Sequence, residues 1–530
     1  MSEGRARTPG GTWGRARRIA IAAALVAGAT VASGAAPTGA PGAAAAPGWD
    51  QYGGWTGRTF AATGAFRTAQ VDGRWWMVDP EGHPFFSNGL NHVVPEGTPD
   101  RNGHAAYHDA ILAKHGSEEA WADAQVPRFE GWGINTLGGW SDTGLFAGRK
   151  VPYTVMLGLA GHSAPTGRVA DFWDPAWVSS VQQQTASAAA GRTDDPWLVG
   201  YFLDNEVHWA KDWRKEQLDQ FLARPADAPG KQHLVAWLRQ RYHNDFAAFA
   251  AQFQTDASSW DELLEATTEK SRSAAAQATK DAWVGEMAGR FFAVTDAALK
   301  AADPNHLNLG ARFIAQLMTP AVVKAAGRHT DVVSINWYEA TDATEEGVAG
   351  LGPSFVGTAD TLADAEALAG KPLLISEFGW RAKDSGLPNS FPPFQVVVDT
   401  QADRASRYRN FAECLANTGY VVGAHWFEMT DEPAIGRFDG EDDNWGFVKE
   451  TDEPWPEVTA AAAEVHDIAY APATDPSWTP GPCTPQGPQR AAPPTTTTTA
   501  TSTSTSTSTT TPGAAAPAST PVPGTPRYTG

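Results

Sequence analysis

Gly200-Tyr201-Phe202-Leu203-Asp204-Asn205-Glu206 is an apolar run that breaks into three polar residues at its carboxyl end. Leu373-Leu374-Ile375-Ser376-Glu377-Phe378-Gly379-Trp380 repeats the layout far downstream. Short apolar runs with turn signals at their ends read as strands buried on both faces, the kind a helix-covered parallel sheet requires. Working outward from these two, further strands are expected near His83–Asn91, Gly133–Trp140, Pro152–Leu159, Leu307–Phe313, Asp331–Tyr338 and Val421–Phe427, with Leu198–Glu206 as the fourth and Pro372–Phe378 as the seventh. Helices are expected between them at Pro175–Ala190, Ala282–Ala302, Thr361–Ala369 and Arg404–Asn417. This alternation implies a parallel sheet with helical crossovers, and eight strands imply a closed (β/α)8 TIM barrel. Val71–Asp79 reads as an extra β-hairpin ahead of the first barrel strand. The stretch between Glu206 and Ala282 is too long for a plain connection. His233–Tyr242 and Asp245–Phe253 look helical within it, followed by Ser258-Ser259-Trp260-Asp261-Glu262-Leu263, so a helical insertion after the fourth strand is expected on the barrel's top face.

The chain is long enough for one large domain or two ordinary ones. Its 22 Trp exceed what a core needs, and indole faces stack on the C–H faces of sugar rings; core packing remains the simpler account of most single Trp residues. A net charge of −20 lacks the basic footprint that nucleic acid demands and favours a neutral substrate over a polyanion. The two cysteines, Cys414 and Cys483, form no CxxC pair, so thiol metal and redox motifs are not expected; one disulfide and two unpaired thiols are equally open. The 13 His contain no HExxH-type pattern, so neither a catalytic metal nor a cofactor is expected.

The ends read differently. Arg15, Arg17 and Arg18 precede an apolar run from Ile19 to Val31, then small residues and Pro/Ala-rich sequence to Pro47. That is the three-part pattern of a secretory signal, and the run is too short for a membrane span. Residues 1–47 are expected to be signal and linker, 48–480 the catalytic domain, and 481–530 a disordered Pro/Thr/Ser tail. A secreted or extracellular chain follows, with the tail a candidate cell-surface tether. Oligomeric state is not legible.

Two carboxylates at strand ends point to one chemistry. In a barrel both strands aim their carboxyl ends at the same mouth, so Glu206 and Glu377 could face each other across one pocket. Glycosidic cleavage needs such a pair, ~5–5.5 Å apart when configuration is retained and ~6.5–9.5 Å when it is inverted. A single Glu at a strand end is more often a cap or an ion-pair partner; the paired placement is what carries weight.

Asn205-Glu206 closing the fourth strand and Glu377 closing the seventh resemble the signature of the clan of retaining (β/α)8 glycosidases. The resemblance implies Glu206 as acid/base, Glu377 as nucleophile and Asn205 as a contact to the 2-hydroxyl. Tyr338, in Ser334-Ile335-Asn336-Trp337-Tyr338, is similar to the tyrosine that hydrogen-bonds the nucleophile. Trp426, in Gly423-Ala424-His425-Trp426-Phe427, is similar to the tryptophan that floors the sugar subsite. More narrowly, Val71 through His92 resembles the barrel start of β-agarases, and Tyr201 through Trp209 their Asp-Asn-Glu segment. Leu238-Arg239-Gln240-Arg241-Tyr242 with Ser259-Trp260-Asp261-Glu262-Leu263 is similar to the insertion of agarases and barrel β-galactosidases. Phe246–Phe253 departs from the agarase pattern. The resemblance implies hydrolysis of a neutral β-linked galactan such as agarose, with another β-glycan (a β-galactoside, mannan or β-glucan) or a non-catalytic glycan-binding barrel as alternatives.

Other residues have two readings each. Asn91, His92 and His162 could bind sugar hydroxyls or serve turns and caps. Trp140, Trp337, Trp380 and Trp445 are candidate stacking platforms. Asp204 reads as a structural partner, Arg312 as a carboxylate partner or a strand cap. Glu428, Asp431 and Glu432 could line a cleft wall, but read more simply as a solvated acidic loop.

Overall fold

A computed structural model of the chain describes residues 48–474, apart from positions 164, 211–213, 254, 267–273, 340–358 and 394. The expected signal, the tail and Cys483 lie outside the described residues. β1 (Arg67–Val71) turns back antiparallel onto β2 (Arg74–Val78) through Asp72-Gly73, both left-handed (φ 54° and 77°), as a two-residue hairpin turn requires. β3 (Pro84–Phe85) pairs antiparallel with β2. The hairpin thus begins earlier than the Val71–Asp79 expected from sequence.

The main sheet is parallel throughout. In chain order its members are β4 (Ser87–Leu90), β5 (Thr136–Leu137), β6 (Tyr153–Met156), β7 (Leu198–Phe202), β8 (Leu307–Asn308), β9 (Phe313–Ile314), β10 (Val333–Asn336), β11 (Leu373–Phe378) and β14 (Val421–Trp426). The spatial order is β8-β7-β6-β5-β4-β14-β11-β10-β9. The two edges are one stretch of chain: β8 pairs with β7, β9 with β10, and only Leu309–Arg312 separates them. That stretch keeps bonding β7's continuation, with Leu203 N to Gly310 O at 2.7 Å and Glu206 N to Arg312 O at 3.1 Å. β8 and β9 are therefore the two halves of a fifth barrel strand, and the sheet closes into eight. β4, β7, β10, β11 and β14 are buried at every position; β7, β11 and β14 accordingly run mainly apolar, whereas β4 (Ser-Asn-Gly-Leu) and β10 (Val-Ser-Ile-Asn) bury polar side chains that are hydrogen-bonded. β12 (Arg381–Ala382) and β13 (Val397–Val398) make a small separate parallel pair.

The four expected helices are Pro175–Ala189, Ala274–Ala302, Ala359–Ala369 and Gln401–Thr418. Thr400 starts the last with a capping box to Asp403, and Gly419 (φ 70°) ends it. The insertion contains Pro229–Arg241, Phe246–Phe253 and Trp260–Glu265, packed on an aromatic cluster in which Phe249 meets Phe253 at 4.7 Å and Trp260 at 5.3 Å. Two C-terminal helices, Pro456–Ala463 and Val465–Thr474, return to the barrel's start. There the Tyr470 hydroxyl accepts from Phe86 N (2.6 Å) and donates to Pro84 O (3.0 Å). Cys414 is disulfide-bonded. Among the described residues no helix is long and apolar enough to cross a membrane.

Candidate active site

The strand carboxyl ends form a mouth whose backbone is held in unusual conformations. His92, Trp140, Glu206 and Arg312 follow β4, β5, β7 and the β8–β9 break, and all four have positive φ (56°, 60°, 50° and 41°). Side chains with a Cβ adopt this region at a cost of roughly 1–2 kcal/mol each, so it persists where surrounding contacts impose it. His92, Trp140 and Glu206 line a cavity of about 530 Å³ that Glu377 lines as well.

Glu377 is the buried member, 4% exposed. Its Oε2 accepts a hydrogen bond from the Tyr338 hydroxyl (2.8 Å), and its Oε1 lies 3.0 Å from Arg312 Nη2. That ionic contact is not aligned as a hydrogen bond, so Oε1 has no hydrogen-bond partner among the described residues. Arg312 is fully buried, donates to Ser376 O (2.9 Å) and Asn91 Oδ1 (3.1 Å), and has its guanidinium 4.1 Å from the centre of the Trp140 ring. Burial pushes the Glu377 carboxyl up to about 8; Arg312 and the Tyr338 hydrogen bond pull it down, and the Glu206 charge adds to the rise. Burial and Glu377 raise Tyr338 well above the phenol range, so it stays a neutral donor.

Glu206 is half-buried, facing the same cavity. Asn336 Nδ2 donates both to Glu206 Oε1 and to Asn205 Oδ1, each at 3.0 Å, while Asn336 Oδ1 accepts from Ser376 Oγ (2.8 Å). Asn336 is paired with Glu377 in the β10–β11 ladder. One carboxamide thus ties the acid-bearing strand end to the strand that carries Glu377. The sequence reading quoted Asn336 without assigning it a role; the signal it missed was alternation, since Trp337 faces outward and its neighbours Asn336 and Tyr338 face in.

The remaining site candidates divide. Asn205, Tyr338, His92, Trp140 and Trp445 line the cavity. His92 Nδ1 is 2.6 Å from Glu428 Oε2, and Thr98 Oγ1 donates to Glu428 Oε1 (3.2 Å). Asn91 does not line it. Fully buried, it donates to the Ser376 (3.0 Å) and Trp426 (3.1 Å) carbonyls and accepts from Gly139 N (2.8 Å), holding strand ends together. His162 lies 3.0 Å from Asp204, a buried residue whose oxygens also take the Ala160 and Asn205 N–H groups.

Trp426 needs correction. It is fully buried behind the barrel wall, its indole N–H donating to Trp445 O (2.7 Å) and its ring set against Tyr408 (5.0 Å) and Phe378 (5.3 Å). Strand alternation explains this: Trp426 points to the helix layer, so His425 points into the barrel and Phe427 into the cavity. Trp337 and Trp380 are likewise buried outside the cavity, Trp337 edge-on to Phe411 (5.0 Å) and Trp380 donating to Glu339 (2.8 Å). The acidic loop is not solvated. Glu428, Asp431 and Glu432 are buried, and Arg437 meets Glu432 at 3.1 Å and Glu441 at 2.7 Å, so paired charge replaces hydration.

No family model matches the chain. It is 29% identical over 498 residues to β-agarase B of Vibrio sp. (strain JT0107), covering 80% of this chain and 50% of that protein. It is 32% identical over 464 residues to β-agarase A of the same strain, covering 76% and 45%. The barrel is β-agarase-like. The chain spans about half the length of the curated relatives it matches. Among solved structures, the agarase AgWH50C superposes on the β-agarase-like barrel with a TM-score of 0.67 at 27% identity, covering 80% of this chain and 68% of that one. An exo-β-agarase gives 0.68 at 25% identity, covering 80% and 67%.

Proposed function

We propose that this chain is a retaining glycoside hydrolase acting on a neutral β-linked galactan of the agarose type. The observation that carries the reading is the convergence of Glu206 and Glu377 on one cavity, with Tyr338 and Arg312 fixed on Glu377 and Asn336 on Glu206. Glu377, through Oε1, attacks the anomeric carbon while Glu206 protonates the leaving oxygen; water deprotonated by Glu206 then releases the sugar. Asn205 supports the assignment: its carboxamide oxygen is taken by Asn336, while its Nδ2 has no protein acceptor among the described residues. Trp140, Phe427 and Trp445 supply the apolar faces that sugar rings pack on. The names borne by its relatives favour agarose over mannan and β-glucans. Residues 1–47 are read as an export signal and linker and 481–530 as a tail, placing the enzyme outside the cell.

A product screen on agarose, galactan, mannan and β-glucans, with the anomeric configuration of the first-formed product followed by NMR, tests this. Retained β-configuration from agarose, abolished by Glu377→Gln, is the expected result. Inversion, or turnover that survives in Glu377→Gln, removes the assigned roles.

A further inference from the structure

At the strand-start end of the barrel, Asp50, Asp79 and His83 each bring one ligand atom to a common point, all within 4.8 Å of one another. The turns that carry them explain the arrangement. Asp79 Oδ1 accepts from the N–H groups of Glu81 (2.9 Å), Gly82 (2.9 Å) and His83 (3.0 Å). Asp50 Oδ1 accepts from those of Tyr52 (2.9 Å) and Gly54 (2.8 Å). With both Oδ1 atoms engaged, the two Oδ2 atoms face His83 Nδ1, Asp50 Oδ2 at 2.6 Å and Asp79 Oδ2 at 3.9 Å. Asp79 is fully buried, and its Oδ2 has no hydrogen-bond partner among the described residues. Gly54 covers the group closely enough that a Cβ there would stand 1.9 Å from Asp79 Oδ2 and 2.8 Å from Asp50 Oδ2. Two buried carboxylates beside one imidazole remain short of positive charge even when the ring is protonated, and a buried carboxylate oxygen left unbonded is costly.

We propose that Asp50, Asp79 and His83 form a structural binding site for a divalent transition-metal ion, zinc by its donor chemistry. Two carboxylate oxygens and one imidazole nitrogen suit zinc, whereas calcium calls for six to eight oxygens. Ligand atoms ~2.0–2.2 Å from one tetrahedral ion stand ~3.3–3.6 Å apart, so zinc would replace the 2.6 Å hydrogen bond between His83 Nδ1 and Asp50 Oδ2, parting them by about 1 Å, and draw in Asp79 Oδ2 from 3.9 Å. The His83 side chain is 18% exposed, so the group is not sealed from solvent. The ion would fasten the segment ahead of β1 to the β2–β3 turn, far from the catalytic mouth, so it acts on stability rather than on turnover.

The test uses the full chain stripped by chelator, titrated calorimetrically with zinc, manganese and calcium chlorides and melted with and without each. The expected result is one zinc per chain, a melting temperature raised by several degrees, weaker manganese binding, no response to calcium, and unchanged kcat. Asp79→Asn keeps the turn acceptor Oδ1 but removes the charge; His83→Gln removes the nitrogen ligand and spares both carboxylates. Each is expected to weaken zinc binding at least tenfold without altering kcat, and either variant suffices if the other fails to fold. Zinc binding that is equal in wild type and variants overturns the proposal. So does a wild-type melting temperature that follows pH and ignores zinc, the sign of two carboxylates sharing a proton.

Discussion

Replacing Glu377 by Gln and following stability against pH isolates the cost of the buried carboxylate. The Glu377 carboxyl sits at about 8 in the folded chain against 4.5 for an unperturbed glutamate. Between those values the folded state holds a proton that the unfolded state has released. Stability from this group is therefore complete below about pH 4.5 and is lost as pH rises toward 8. One pKa unit corresponds to ~1.36 kcal/mol, so the 3.5-unit gap gives a ceiling of about 5 kcal/mol across the window. The Gln variant leaves Arg312 without its counter-charge, which shifts its stability by an amount that does not vary with pH, since the guanidinium stays charged. The informative quantity is thus the wild-type minus variant difference. Calorimetric melts from pH 4 to pH 9 should show that difference falling steadily, by about 5 °C in total for a domain of roughly 400 residues. Parallel curves for the two proteins would refute the reasoning, because they would mean that Glu377 titrates like a solvated side chain.

In the proposed mechanism Glu377 must be ionised to attack, so kcat/KM is expected to rise with pH through the Glu377 titration. Tyr338→Phe removes a hydrogen bond that favours the anion; kcat/KM should fall ~10–100-fold and this rising limb move to higher pH, both visible in a pH–rate profile. Trp426→Ala should lower stability by ~3–5 kcal/mol in denaturant titration while KM of the folded enzyme hardly changes; Phe427→Ala should do the reverse, raising KM at near-constant stability. Glu428→Gln should loosen His92 at the cavity wall and raise KM more than it lowers kcat, read from initial rates on oligosaccharides.

Much of the barrel was legible because β7, β11 and β14 are covered on both faces and so read as mainly apolar runs ending in polar residues. Glu206 and Glu377 stood out for the same reason: each follows such a run closely, Glu377 as its first acid and Glu206 two residues after Asp204. What failed was local direction. At a strand's end one residue decides which side faces the cavity, and the aromatic run Trp426-Phe427 offers no contrast in polarity to show it. Asn91 looked like a hydroxyl ligand because sequence cannot show that the carbonyls of two neighbouring strands lie within its reach. Glu428 and Glu432 looked solvated because their partners, His92 and Arg437, are brought to them only by the folded loop. The fifth strand was read whole, but Gly310 and the left-handed Arg312 divide it in two.

Phe427, Glu428, Arg437, Phe438, Glu441 and Trp445 all come from the single stretch between β14 and the helix Pro456–Ala463. Both ends of that stretch are pinned, Met429 N to Asn91 O (3.0 Å) and Trp455 N to Phe447 O (2.9 Å), whereas Phe438 at its tip is 88% exposed. Glu206 and Glu377 therefore belong to the barrel's strand ends, and much of the cavity's rim belongs to one contiguous ribbon. On the proposed function, exchanging that one segment would reshape the cavity's rim while leaving the paired carboxylates at their strand ends untouched.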